Sequence, residues 1–108
     1  MTDTTAKTEL VCVQPSGDRR KAIAEVGRPY QGSDGVWRCP IAFDGLFPAR
    51  EVWGYDSLQA LWLAGQTIRT LLRSLEARGW QVSIAGHGGM EFPLDRFFSE
   101  ISHDTPSA

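Results

Sequence analysis

The sequence predicts an α+β domain: a mainly antiparallel sheet of four to five strands packed on one long helix (about 56–78), with a short C-terminal helix. Three observations carry this. Short runs between residues 9 and 53 alternate apolar and polar side chains with period two, broken by clusters of Pro, Gly and Asp. From Asp56 to Arg78 the apolar residues switch to helical spacing. One further alternating run follows, then Pro93 and a short segment with one apolar helical face. Strands grouped before a single helix, rather than interleaved with several, argue for two layers with an antiparallel sheet.

Residues 1–7 are polar and Thr-rich, and are expected to be disordered. Glu9 to Gln14 reads as a strand with Leu10 and Cys12 on one face and Val11 and Val13 on the other. Pro15-Ser16-Gly17-Asp18 is a turn, and Arg20 to Gly27 is the second strand. Arg28-Pro29-Tyr30 breaks it, and Gly32-Ser33-Asp34-Gly35 forms a loop. In the third strand, Val36 to Phe43, alternation places Trp37, Cys39, Ile41 and Phe43 together; Pro40 requires an edge position or a bulge. Gly45 to Arg50 is expected to be a loop, followed by a short extended Glu51-Val52-Trp53.

Asp56 is the expected N-cap of the helix, with Gln59 at the third position of a capping box. The expected buried stripe is Leu58, Leu61, Gly65, Ile68, Leu72 and Leu75, with Gly65 marking a close approach to the sheet. Arg78-Gly79 supplies the stop, glycine providing the left-handed residue. Trp80, Val82 and Ile84 belong to a further strand, and Leu94, Phe97, Phe98 and Ile101 give the C-terminal helix its apolar face. One domain over 8–102 results, with 103–108 disordered.

The balance of 11 Lys and Arg against 13 Asp and Glu lacks the basic excess of a nucleic-acid binder. No apolar run reaches the roughly 20 residues of a membrane span. The opening MTDTTAKTEL has no basic-then-apolar secretory pattern, so a cytoplasmic location is expected. Cys12 and Cys39 belong to no C-x-x-C and read as buried thiols, or as a bridge if their strands pair.

The chemical constellations are thin. Gly86-His87-Gly88-Gly89-Met90-Glu91 has Glu where a dinucleotide fingerprint needs its third Gly, and no G-K-[ST] or G-x-S-x-G occurs. His87 and Glu91 are the best acid/base pair available, and surface-loop residues are the simpler reading. H-E-x-x-H is missing, so neither a metal nor a cofactor is expected. Trp37 and Trp80 belong in the core, and Trp62 flanks the helix stripe. Trp53 and Tyr55, beside the helix start, can either anchor a partner or pack on the sheet.

The stretch Gly54-Tyr55-Asp56-Ser57-Leu58-Gln59-Ala60-Leu61, with Leu63-Ala64 beyond it, resembles the signature of a family of small bacterial domains of unknown function. Arg28-Pro29-Tyr30, Trp37-Arg38-Cys39 and Phe92-Pro93 follow in the order of that family, so the resemblance covers about 10 to 93. It brings no catalytic residues. Domains of this kind are often encoded beside secreted antibacterial toxins, which by analogy implies an immunity protein. The expectation is therefore a non-enzymatic domain that binds another protein through Arg28, Tyr30, Trp53, Tyr55, His87 and Glu91. A small-molecule site or enzyme built on the Gly86–Met90 loop, and a subunit of a homo-oligomer, are the alternatives.

Overall fold

The period-two runs all join one sheet in the computed structural model, which describes residues 3–85 and, for the backbone alone, 91–93. In chain order the elements are β1 (Thr4–Val13), β2 (Arg19–Gly27), β3 (Tyr30–Gln31), β4 (Trp37–Asp44), β5 (Phe47–Gly54), α1 (Ser57–Ala77), β6 (Gln81–Ala85) and β7 (Glu91–Pro93). Every strand pair is antiparallel. Across the sheet the order is β5, β4, β2, β1, β6, β7, with β3 beside β4 as a continuation of β2.

Among the described residues the sheet has seven strands rather than four or five. Two of the extra strands hide behind breakers: Tyr30–Gln31 follows a proline, and Glu91–Pro93 ends on one. Pro93 thus closes a strand instead of opening a helix, and residues 94–102 of the expected C-terminal helix lie outside the described residues. At the other end β1 begins at Thr4, within the stretch expected to be disordered. Thr4 stands opposite Gly27, and its hydroxyl donates to Glu25 at 2.8 Å.

Pro40 explains the break between β2 and β3. On that side β4 pairs with β2 through Ile41 and resumes with β3 at Arg38, leaving Cys39 and Pro40 without ladder partners. A strand with neighbours on both sides tolerates proline only where a neighbour interrupts its ladder. The Gly27 carbonyl at the interruption accepts from the Cys39 thiol, 3.5 Å away. Pro48 needs no such device. It lies on the edge strand β5, so the expected loop over 45–50 shrinks to Gly45-Leu46 and the strand runs from Phe47.

The inward residues of the alternating runs build the core: Leu10 and Cys12, Ala22 and Ala24, Cys39, Ile41 and Phe43, and Val82. Trp37 and Trp80 pack against it, as expected. Cys12 and Cys39 are free thiols, because β2 lies between their strands and no bridge can span it. Burial raises the pKa of both.

The helix starts and stops as its caps dictate. Asp56 Oδ1 accepts from Gln59 N at 2.8 Å, and Gln59 Oε1 accepts from Tyr55 N at 2.6 Å. At the other end Gly79, with φ of 91°, donates to Glu76 O while Trp80 N donates to Leu75 O, a Schellman closure.

Its buried face keeps Ile68, Leu72 and Leu75 of the expected stripe but differs in the first turns. Ala60 and Ala64 are fully buried and are joined by Leu72 and Leu75, whereas Leu58 is 74% exposed and Leu61 and Trp62 also face outward. The helix rests mainly on β4 and β5, and small residues let it sit close. Gly65 is not the close approach; a Cβ there would meet nothing within 4 Å. That role belongs to Gly54, where a Cβ would stand 2.6 Å from Ala60 N.

Candidate functional site

Alternation fixes which face each residue of β3, β4 and β5 shows. Cys39 and Ile41 point to α1, so Arg38, between Trp37 and Cys39, points the other way. The ladders place Tyr30 opposite Arg38, and Arg38 opposite Trp53. These three side chains form a row across three strands, on the sheet face away from the helix, and Glu51 shares that face two residues before Trp53.

The row is held by specific contacts. The Arg38 guanidinium carbon lies 5.2 Å from the Trp53 ring centroid, within cation–π range. Its Nη2 and Nη1 reach the two carboxylate oxygens of Asp34 at 2.9 and 3.1 Å, a fork-to-fork pair. Asp34 in turn accepts from the backbone N–H of Val36 at 3.0 Å, which ties the Gly32–Gly35 loop to the start of β4. These donors hold the Asp34 carboxyl well below its usual range, at about 2, with the Arg38 hydrogen bonds the largest cause. The same pairing raises Arg38. Tyr30 donates its phenol to Glu51, and that bond raises the tyrosine pKa, because ionisation would set two anions side by side.

Trp53 remains 62% exposed and Tyr30 43%, so the row presents aromatic surface that is already positioned. Beside it runs an open groove of about 580 Å³ lined by Arg28, Pro29, Tyr30, Gln31, Trp37 and Pro40. The arrangement suits binding by burial of aromatic and guanidinium planes. Among the described residues no cluster of three or more His, Cys, Asp or Glu is placed to hold a metal.

Of the six residues singled out in the sequence, the structure brings Tyr30 and Trp53 to this face and Arg28 to the groove beside it. Tyr55 stands apart, 91% exposed just before the helix N-cap. His87 and the Gly86–Met90 loop lie outside the described residues. Glu91 is described only through its backbone, opposite Ala85 in β7. Arg38, Asp34 and Glu51 were not foreseen. The polar phase of the third strand marked Arg38, but only the register shows which aromatic residues flank it.

The family model named Domain of unknown function (DUF6968) matches residues 8–94, which spans every contact of this row. The chain belongs to this family. Neither the curated proteins nor the solved structures contain a match to it. DUF6968 as a family carries no assigned activity, so the functional reading of this member starts from its surface. No helix among the described residues is long and apolar enough to cross a membrane.

Proposed function

We propose that this DUF6968 chain is a non-enzymatic protein-binding domain whose contact face is the Tyr30–Arg38–Trp53 row. Most concretely, it is a cytoplasmic bacterial immunity protein that binds and blocks a cognate secreted toxin. The supporting observation is Trp53, 62% exposed yet held under a guanidinium that Asp34 itself holds. Tyr, Trp and Arg dominate binding hot spots, and side chains already fixed in place lose little further entropy on association. Inhibition by occlusion needs only such a face.

The experiment is co-expression with the products of the genes on either side of its own, any toxin among them first. A one-to-one complex and protection of the host are expected. Trp53→Ala and Arg38→Ala should each weaken the complex by roughly thirtyfold or more, the equivalent of at least 2 kcal/mol at a hot spot. Undiminished affinity in both variants assigns binding to another face. A wild-type chain that neither binds nor protects defeats the immunity reading.

A further inference from the structure

α1 covers one face of the sheet, and among the described residues no second helix covers the other. Leu10 and Cys12 of β1 point to α1, so Val11 between them points to the opposite face. Yet Val11 is only 5% exposed, and the core cluster beneath α1 does not include it. Its ladder partners are Lys21 on β2, an exposed side chain, and Ser83 on β6, one too short to roof a valine. Half-buried Val13 and Ile23 extend the apolar patch on the same face. On the other flank of that face Tyr30 and Trp53 stand open, so whatever covers Val11 is local to β1 and β6.

We infer that residues 94–102 of this same chain lie across the β1–β6 side of this face, with Leu94, Phe97, Phe98 and Ile101 turned onto Val11, Val13 and Ile23. The backbone leads there. Val11 pairs with Ser83, and Ser83 with Pro93, so β7 releases the chain in the row of Val11, two strand spacings or about 10 Å away. Fifteen residues follow Pro93, and nine of them in a helix span about 13 Å, enough to cross β6 and β1.

The composition of the segment matches the patch. Leu94, Phe97, Phe98 and Ile101 succeed one another at spacings of three, one and three, which is one helical stripe, and Asp95 and Glu100 flank it. Arg19 and Lys21 of β2 border Val13 and Val11, a basic rim for those two carboxylates. Beside Val11 the face opens into a cleft of about 340 Å³ along Glu9, Lys21 and Ile23, room for an aromatic ring. The Tyr30–Arg38–Trp53 row, on the β3–β5 flank, is left free for a partner.

Methyl NOE spectroscopy of the full chain tests this. The Val11 methyl groups should show NOEs to the rings of Phe97 and Phe98, and the Leu72 methyls on the buried face of α1 should not. Val11→Asp should release the segment, so that trypsin cuts after Arg96 roughly tenfold faster than in the wild-type chain. Should that variant fail to fold, Phe97→Ser/Phe98→Ser should leave the Val11 methyls open to a soluble paramagnetic probe that the wild-type chain excludes. Trp53→Ala should change none of these readouts, which separates this contact from the one proposed for the protein partner. A wild-type chain without NOEs from Val11 to Phe97 or Phe98 overturns the inference. So do NOEs from those rings to Leu58 or Trp62 instead, NOEs that mixed labelling shows to run between two chains, or equal cleavage of wild type and Val11→Asp.

Discussion

Arg38 joins three parts of the chain that are unrelated in sequence: the loop carrying Asp34, the ring of Trp53 on β5, and Tyr30 across the ladder. Its position depends on Gly32, where a Cβ would lie 1.9 Å from Arg38 Nη1. Gly32→Ala should therefore push the guanidinium off Asp34. The readout is the Asp34 carboxyl itself. Its folded value of about 2 lies below the ordinary carboxylate value near 3.9, so the stabilisation it contributes is complete above about pH 5 and is lost as pH falls toward 2. An NMR titration of the wild-type chain should give a midpoint near 2, and Gly32→Ala or Arg38→Ala should move it up toward the ordinary value. In Asp34→Asn the Trp53 environment should lose its response to pH between 4 and 2. A midpoint near 3.9 in the wild-type chain would show that the fork is not formed in solution.

At the scale of elements, two glycines eleven residues apart prove opposite in role. Gly54 is the site where β5 passes against the first turn of α1, and its missing side chain leaves room for Ala60. Gly54→Ala should destabilise the domain by about 1–3 kcal/mol through overpacking against backbone. Gly65→Ala has open space, so the helix-propensity gain of about 0.5–1 kcal/mol should make it stabilising. Urea denaturation of both should give shifts of opposite sign. The contrast also shows what periodicity conveys and what it does not. Caps and turn residues state where α1 begins and ends, and alternation states which way β4 faces, because those are local matters, whereas the starts of β1 and β5 depend on the partner strands. Leucines outweigh alanines in a hydrophobic stripe, but the first turns of the helix meet the sheet through Ala60 and Ala64, so the expected stripe holds only from Ile68 onward and its Leu58 and Leu61 face solvent. Likewise Arg38 could be assigned to a face from sequence, while its neighbours Tyr30 and Trp53 required the pairing of three strands.

For the whole molecule, the two cysteines report whether the sheet opens as a unit. Cys12 on β1 and Cys39 on β4 are both fully buried, on strands separated by β2, beneath the face that α1 covers. Burial raises both thiol pKa values, so the reactive thiolate is scarce in the folded state for two reasons, access and ionisation. Neither thiol can be reached by fraying an end, because the core that surrounds them draws residues from β1, β2, β4, β6 and α1 together. Labelling with a thiol reagent should therefore be slow in native buffer and should involve both cysteines at the same rate, set by global unfolding rather than local opening. Phe43→Ala, which removes the largest fully buried side chain among the described residues at a cost of about 3–5 kcal/mol, should accelerate both by a common factor of a hundred or more. Because no bridge joins them, a reductant should leave the melting temperature unchanged. Selective labelling of one cysteine, with the other still protected, would show that the β1 and β4 sides of the sheet open independently.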